Sequence, residues 1–300
     1  IDTKQPFLMV DLSYLCFYRF YAIRLWYKMS HKDENIDDII WENNSEFMDK
    51  IEKTFFDKLD RIKKLYKVPD KNVIFGKDCC RKNIWRMKSY PDYKKTRAES
   101  HKRSNFNGHN VFNYITSNII PKYIEDTYAK IFWDKEAEGD DVIAILSKYI
   151  RSLNPTVDIV IITSDHDYFQ LIDDNLHIVT LKGKCISDKI KRESSSKKEL
   201  WKKILLGDKS DNIPACYVLT EAIKSIDDKK KNSKNKYLKC YKSLAEIYSS
   251  DPSILENHLK TYPELIRDDQ LNINRNLIDF DNIPDDIVHK VINELNRFMD

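Results

Sequence analysis

Glycine is scarce in this chain: five occur in 300 residues, and none follows Gly207. Glycine permits positive φ and lets a backbone come close to a ligand, so beyond Gly207 no such approach is on offer. The six cysteines include no CxxC pair, and the seven histidines lack zinc-ligand spacing. A disulfide framework and a zinc site are therefore not expected, and the chain reads as intracellular, cytoplasm and nucleus undistinguished. No long apolar run is present either. The most apolar opening stretch, PFLMVDLSYLCFYRFYAI, is broken by Asp11 and Arg19, which argues against a membrane span or a signal segment.

What is present is enough for a proper core, with 41% apolar residues serving one large domain or two modest ones. The 51 basic and 48 acidic side chains nearly cancel, and a net charge of +3 predicts no partner by itself. Distribution has to decide.

Apolar runs at 7–10, 73–75, 129–133, 157–163 and 176–181 read as strands, alternating with helical segments. Phe47, Ile51, Phe55, Leu59 and Ile62 recur at helical spacing and predict one amphipathic helix. The expected fold class is α/β: a mostly parallel central sheet with helices on both faces. Beyond about residue 184 the strand signals stop, and helices are expected at 197–206, 215–226, 236–249, 253–259 and 284–299. The run DDKKKNSKNK reads as a solvated basic loop. The expected organisation is an α/β core over 1–190, including a basic segment at 79–110, and a helical region over 191–300.

Ligand sites in open α/β sheets gather beyond the carboxyl ends of the strands. Here those ends carry Asp11, Asp78, the group Glu138, Asp140 and Asp141, and the pair Asp165 and Asp167. Each cluster taken singly reads equally well as a helix cap or a first-turn residue. Together they would repel one another unless cations neutralised them, and oxygen-bound Mg2+ is the natural cation. His166, between the last pair, is expected to face away. Asp208 and Asp211 in GDKSDNIP leave two readings open, a helix start or half of a metal site.

Directly after Asp78 comes the basic segment. Arg81, Lys82, Arg86, Lys88, Lys94, Lys95, Arg97, Lys102 and Arg103 face only Asp92 and Glu99, so the remainder of the chain is net acidic. Trp85, Tyr90, Tyr93 and Phe106 are interleaved, a composition suited to a phosphate backbone with unpaired bases. Lys94 and Arg97 stand three apart and share a face if helical, where both can stabilise charge on a phosphate.

With these residues assembled, the chain resembles the structure-specific 5′ nucleases: flap endonucleases, the 5′ nuclease domains of bacterial DNA polymerases, and phage 5′ exonucleases. The resemblance spans nearly the whole chain, through FLMVDLSYLCFYRF, VIFGKD, YPDYKKTR, AEGDDVIA, TSDHDYFQL, GDKSDNIP and NRNLIDFDNIP in the family's order. It implies a PIN-like sheet with two Mg2+ sites, Mn2+ able to substitute, a helical arch for the 5′ strand, and a helix-hairpin-helix-like grip on duplex DNA. Asp11, Asp78, Glu138 and Asp140 would serve the first metal, with Asp141 close by; Asp165, Asp167, Asp208 and Asp211 would serve the second. Lys94 and Arg97 match the arch's catalytic pair. Arg19, Tyr18 and Phe17 match residues that handle nucleotides beside the cut. Arg81, Lys82, Arg86, Tyr93, Lys95, Lys102, Arg103 and Lys224 complete the expected DNA-binding set.

One departure stands out. The family's glycine-rich hairpin after SDNIP, whose carbonyls hold a K+ ion, is replaced here by ACYVLTEAIKSI, which puts that K+ site in doubt. The expected activity is Mg2+-dependent 5′-3′ exonuclease or flap endonuclease cleavage of DNA in replication, repair or recombination. Its substrate would carry a 5′ flap, nick or free 5′ end, RNA primers being a further candidate, and the enzyme would act as a monomer away from membranes. The rivals are a ribonuclease of the PIN or RNase H type and a non-catalytic nucleic-acid scaffold. Against the scaffold, binding alone has no use for acids beside phosphates.

Overall fold

The computed structural model describes residues 1–97, 106–216, 254 and 268–299. Its centre is a parallel sheet of β1 (Phe7–Asp11), β2 (Val73–Gly76), β3 (Lys130–Phe132), β4 (Ile159–Ile162) and β5 (Leu176–Val179), in the order β3-β2-β1-β4-β5. Each falls on one of the five apolar runs, β1 and β2 continuing one residue past theirs. β1, β2 and β4 are almost wholly buried, as strands covered on both faces must be. Alternation sorts their side chains: Leu8, Val10, Phe75, Val160 and Ile162 enter one core, and Phe7, Met9, Ile74, Ile159 and Ile161 the other.

The first core is closed by α1 (Leu12–Ser30), α2 (Ser45–Thr54) and α3 (Asp57–Leu65). The single amphipathic helix expected over 47–62 is thus two. Phe55 enters the core while its neighbour Phe56 stacks on Tyr123 at 3.8 Å between centroids. In an unbroken helix adjacent residues point about 100° apart, and a break between α2 and α3 lets both rings find partners.

The second core is closed by α4 (Gly139–Leu153) and by a helix at the end of the described chain, α7 (Asp285–Asn296), whose Ile287, Val291 and Leu295 are buried against the sheet side. The expected division near residue 190 is therefore incomplete, because residues 280–295 pack into the α/β core. α5 (Ser196–Leu206) and α6 (Asp268–Ile278) form a smaller apolar cluster with Ile84, Tyr93, Ile213 and Cys216. The helices expected within 217–253 and most of 253–259, together with Lys102, Arg103 and Lys224, fall outside the described residues, as does the segment that would complete a helix-hairpin-helix and its K+ site. Among the described residues no helix is long and apolar enough to cross a membrane.

Candidate metal centre

The carboxylates meet in one cleft of about 970 Å3, lined by Asp11, Asp78, Glu138, Asp140, Asp165, Asp167 and Asp208. Parallel strands explain the convergence. β1, β2 and β4 all end at the same edge, and the residues that follow are delivered there together.

Asp11 ends β1 and caps α1, accepting a hydrogen bond from the Tyr14 amide at 3.0 Å and another from Thr163 at 3.2 Å. Asp78, just past β2, accepts from the Gly139 amide at 2.6 Å and from the Ser13 hydroxyl. That bond needs the close approach of two glycines. A Cβ on Gly76 would lie 2.6 Å from Ile143 and 2.7 Å from the Gly139 carbonyl oxygen, and one on Gly139 would lie 3.1 Å from Asp78. Two of the chain's few glycines thus bring α4 against β2, and the start of α4 carries Glu138, Asp140 and Asp141.

Charge crowding leaves its mark. Burial, followed by repulsion from Asp78 and Asp165, pushes the Asp11 carboxyl up to about 7. Burial, followed by Asp141 and Glu138, holds Asp140 well above the ordinary carboxylate range. Positive charge supplied nearby favours the ionised form of such groups, and all-oxygen donors at this density suit hard divalent cations.

The acids divide into two groups. Glu138, Asp140 and Asp141 bring ligand atoms within 4.8 Å of one another, and so do Asp167, Asp208 and Asp211. Tyr93 joins them, donating to Glu138 at 2.9 Å and to Asp211 at 3.1 Å. Asp165 lies between Asp11 and Asp167, accepting from the Asp167 amide at 3.0 Å. Asp208 starts a tight turn, paired with Ile213 through 2.8 and 2.7 Å backbone bonds, and Gly207 before it has φ +69° with no room for a side chain. His166 is exposed and stacks on Phe169; it lines the same cleft but belongs to neither acid group.

Asp141 differs from its neighbours in its partners, and it lies close by Glu138 and Asp140 as expected. It is fully buried, and its oxygens accept from Arg86 at 2.7 and 2.8 Å, from Trp85 at 2.9 Å and from the Glu138 amide at 3.1 Å. Three of these bonds fall on Oδ2 and one on Oδ1, so Asp141 holds the floor in place beside Glu138 and Asp140. Arg86 does correct an expectation. Only 2% exposed and bonded also to the Leu277 carbonyl at 2.7 Å, it cannot reach a nucleic acid. Tyr93, 3% exposed, is withdrawn from base stacking for the same reason. Arg19 is buried on α1 and donates to Thr54 at 2.5 Å, so it too faces inward. Tyr18 is half-buried against the first core.

The remaining cations stand over the acids. Lys94 pairs with Glu138 and lies 3.7 Å from Asp211, and Arg97 pairs with Asp211 at 2.6 Å. Burial works against the Lys94 charge, but Glu138, Asp211 and Asp140 outweigh it and hold its pKa above the usual value. Arg81, Lys82 and Lys95 are exposed on the same segment, Arg81 donating to the Lys94 carbonyl at 2.6 Å and Lys95 pairing with Asp92 at 3.0 Å. Lys203 on α5 escaped the reading of the sequence. It pairs with Asp167 and, at 2.7 Å, with Asp208; burial opposes ionisation of Asp208, yet Lys203 and Ser210 bring its carboxyl down to about 2. The one available signal was its place a helical turn before Gly207.

Carboxylates at the ends of parallel strands, with a lysine and an arginine lodged among them, make this cleft a candidate metal centre. Residues 6–203 match the family described as the 5′-3′ exonuclease, N-terminal resolvase-like domain, and the chain belongs to that family. It is 39% identical over 123 residues to the DNA polymerase I of Caldicellulosiruptor bescii, a match that takes in 38% of this chain and only 13% of the polymerase. The fold is also that of a T5 5′-exonuclease structure with bound zinc ions, at a TM-score of 0.57 and 15% identity over 99% of this chain and 100% of the other. A bacteriophage T5 D15 flap endonuclease solved with DNA and metal ions gives a TM-score of 0.55 and 14% identity over 98% and 99%.

Proposed function

We propose that this protein is a Mg2+-dependent 5′ nuclease that cleaves DNA at 5′ flaps, nicks or free 5′ ends, RNA primer strands included, and that it acts as a monomer. The observation that carries this reading is the pairing of Lys94 and Arg97 with Glu138 and Asp211. It puts two cations of the basic segment at the acidic floor, where a scissile phosphate would have to lie.

Asp11, Asp78, Glu138 and Asp140 would hold one Mg2+, or Mn2+ in its place, and Asp165, Asp167, Asp208 and Asp211 a second. Bound there, the ions would supply positive charge to the phosphate oxygens and lower the pKa of water. The side chains of this chain do the rest. Lys94 and Arg97, held over the acids by Tyr93 and the 208–213 turn, would release their carboxylates to a substrate and stabilise charge developing on the phosphate. Exposed Arg81, Lys82 and Lys95 would hold the strand by its backbone.

The test offers a 5′-flap DNA, a nicked duplex, an RNA-primed duplex and a single-stranded RNA in Mg2+ or in chelator. Cleavage of the flap and the nick in Mg2+ alone is expected, with Asp165→Asn and Asp140→Asn each losing cleavage while retaining DNA binding. Preference for the single-stranded RNA, or undiminished cleavage by both variants, would overturn the reading.

A further inference from the structure

His177, Cys185 and Asp188 lie outside the cleft, and their ligand atoms all fall within 4.8 Å of one another. The fold brings them together after β5. The chain turns at 180–184, Cys185 pairs antiparallel with Val179, and the next helix, Ser187–Glu193, begins at once. His177 on β5 is thereby set beside the returning strand and Asp188 beyond it. The Cys185 thiol donates to Asp188 at 3.0 Å and shares a 3.2 Å hydrogen bond with Ser187. Tyr66, just past α3, lies near Cys185 and packs its ring 6.1 Å from that of His177. Among the described residues no hydrogen bond engages either ring nitrogen of His177.

We infer that His177, Cys185 and Asp188 form a second, separate metal site, selective for Zn2+ or a similar borderline transition ion, that clasps β5 to the turn and helix following it. One nitrogen, one sulfur and one oxygen suit Zn2+ and leave a fourth tetrahedral position to water or the Tyr66 oxygen. Mg2+ and Ca2+, which the oxygen-only cleft suits, are poor matches for a thiolate and an imidazole. Binding would form the sulfur–metal bond with release of the Cys185 proton to solvent. The absence of zinc-ligand spacing in the sequence does not bear on this site, because a hairpin pairing and a helix start assemble its ligands.

The test uses the full chain freed of metal with chelator and titrated with Co2+. A Cys79→Ser/Cys80→Ser background removes the two thiols beside Asp78. A thiolate-to-Co2+ charge-transfer band saturating at one equivalent is expected, discharged by Zn2+ and untouched by excess Mg2+. Cys185→Ser should abolish it, and His177→Gln should weaken Co2+ binding at least about tenfold. In saturating Mg2+, Zn2+ should raise the melting temperature of the parent more than that of Cys185→Ser. No band, a band that survives Cys185→Ser, unchanged affinity in His177→Gln, or discharge by Mg2+ would each overturn the site.

Discussion

Arg86 grips both carboxylate oxygens of Asp141, at 2.7 and 2.8 Å, with neither side chain more than 2% exposed. The same guanidinium reaches Glu138 at 3.2 Å and the Leu277 carbonyl, so one cation ties the acidic floor to α6. A buried pair adds little net stability while intact, but breaking it strands a charge. Arg86→Met is expected to cost about 3–5 kcal/mol in urea unfolding. Arg86→Met/Asp141→Leu should recover part of that loss.

Lys94 reaches the floor with φ +55°, its amide bonded to the Asp211 carbonyl at 2.8 Å. Lys94→Ala is expected to lower single-turnover cleavage by about 100-fold or more, while DNA affinity at fixed salt changes by less than about threefold. A lysine that only held the backbone would instead change affinity and salt dependence. Fluorescence anisotropy beside single-turnover kinetics separates the two.

The raised carboxyls carry a pH signature. Asp11 moves from an ordinary 3.8 to about 7, so between those values the unfolded chain binds fewer protons than the folded one. The contribution of Asp11 to stability in chelator is therefore fully present below pH about 4 and lost as pH rises to about 7. Asp140, also raised, adds to the same slope. Thermal melts across that range should show the decline, and saturating Mg2+ should flatten it by favouring the ionised carboxylates.

Gly76→Ala tests the contact between β2 and α4. The added Cβ would meet the Gly139 carbonyl oxygen at 2.7 Å, and backbone has to shift. A loss of about 1–3 kcal/mol is expected in denaturant unfolding, with more Mg2+ needed for half-maximal cleavage because Asp78 and Asp140 are displaced together.

Much of this protein was legible in its sequence. The runs at 7–10, 73–75 and 159–162 are apolar on consecutive residues, as strands covered on both faces are, and the acids at their ends inherit their position from the sheet. Phe55 and Phe56 were less legible, since periodicity follows one face of a helix and is blind to a second aromatic seeking its own partner.

The sequence by itself determined where the acids stand along the chain, because strand ends and helix starts are set by local pattern. Which of them already face a cation of the chain itself, only the tertiary structure decided. Asp141 is gripped by Arg86, 55 residues away, and Asp167 is faced by Lys203 from another helix. His177 meets Cys185 through a strand pairing. Charge and chemistry type are written into each residue, but pairing, burial and crowding come from neighbours that folding alone brings within reach.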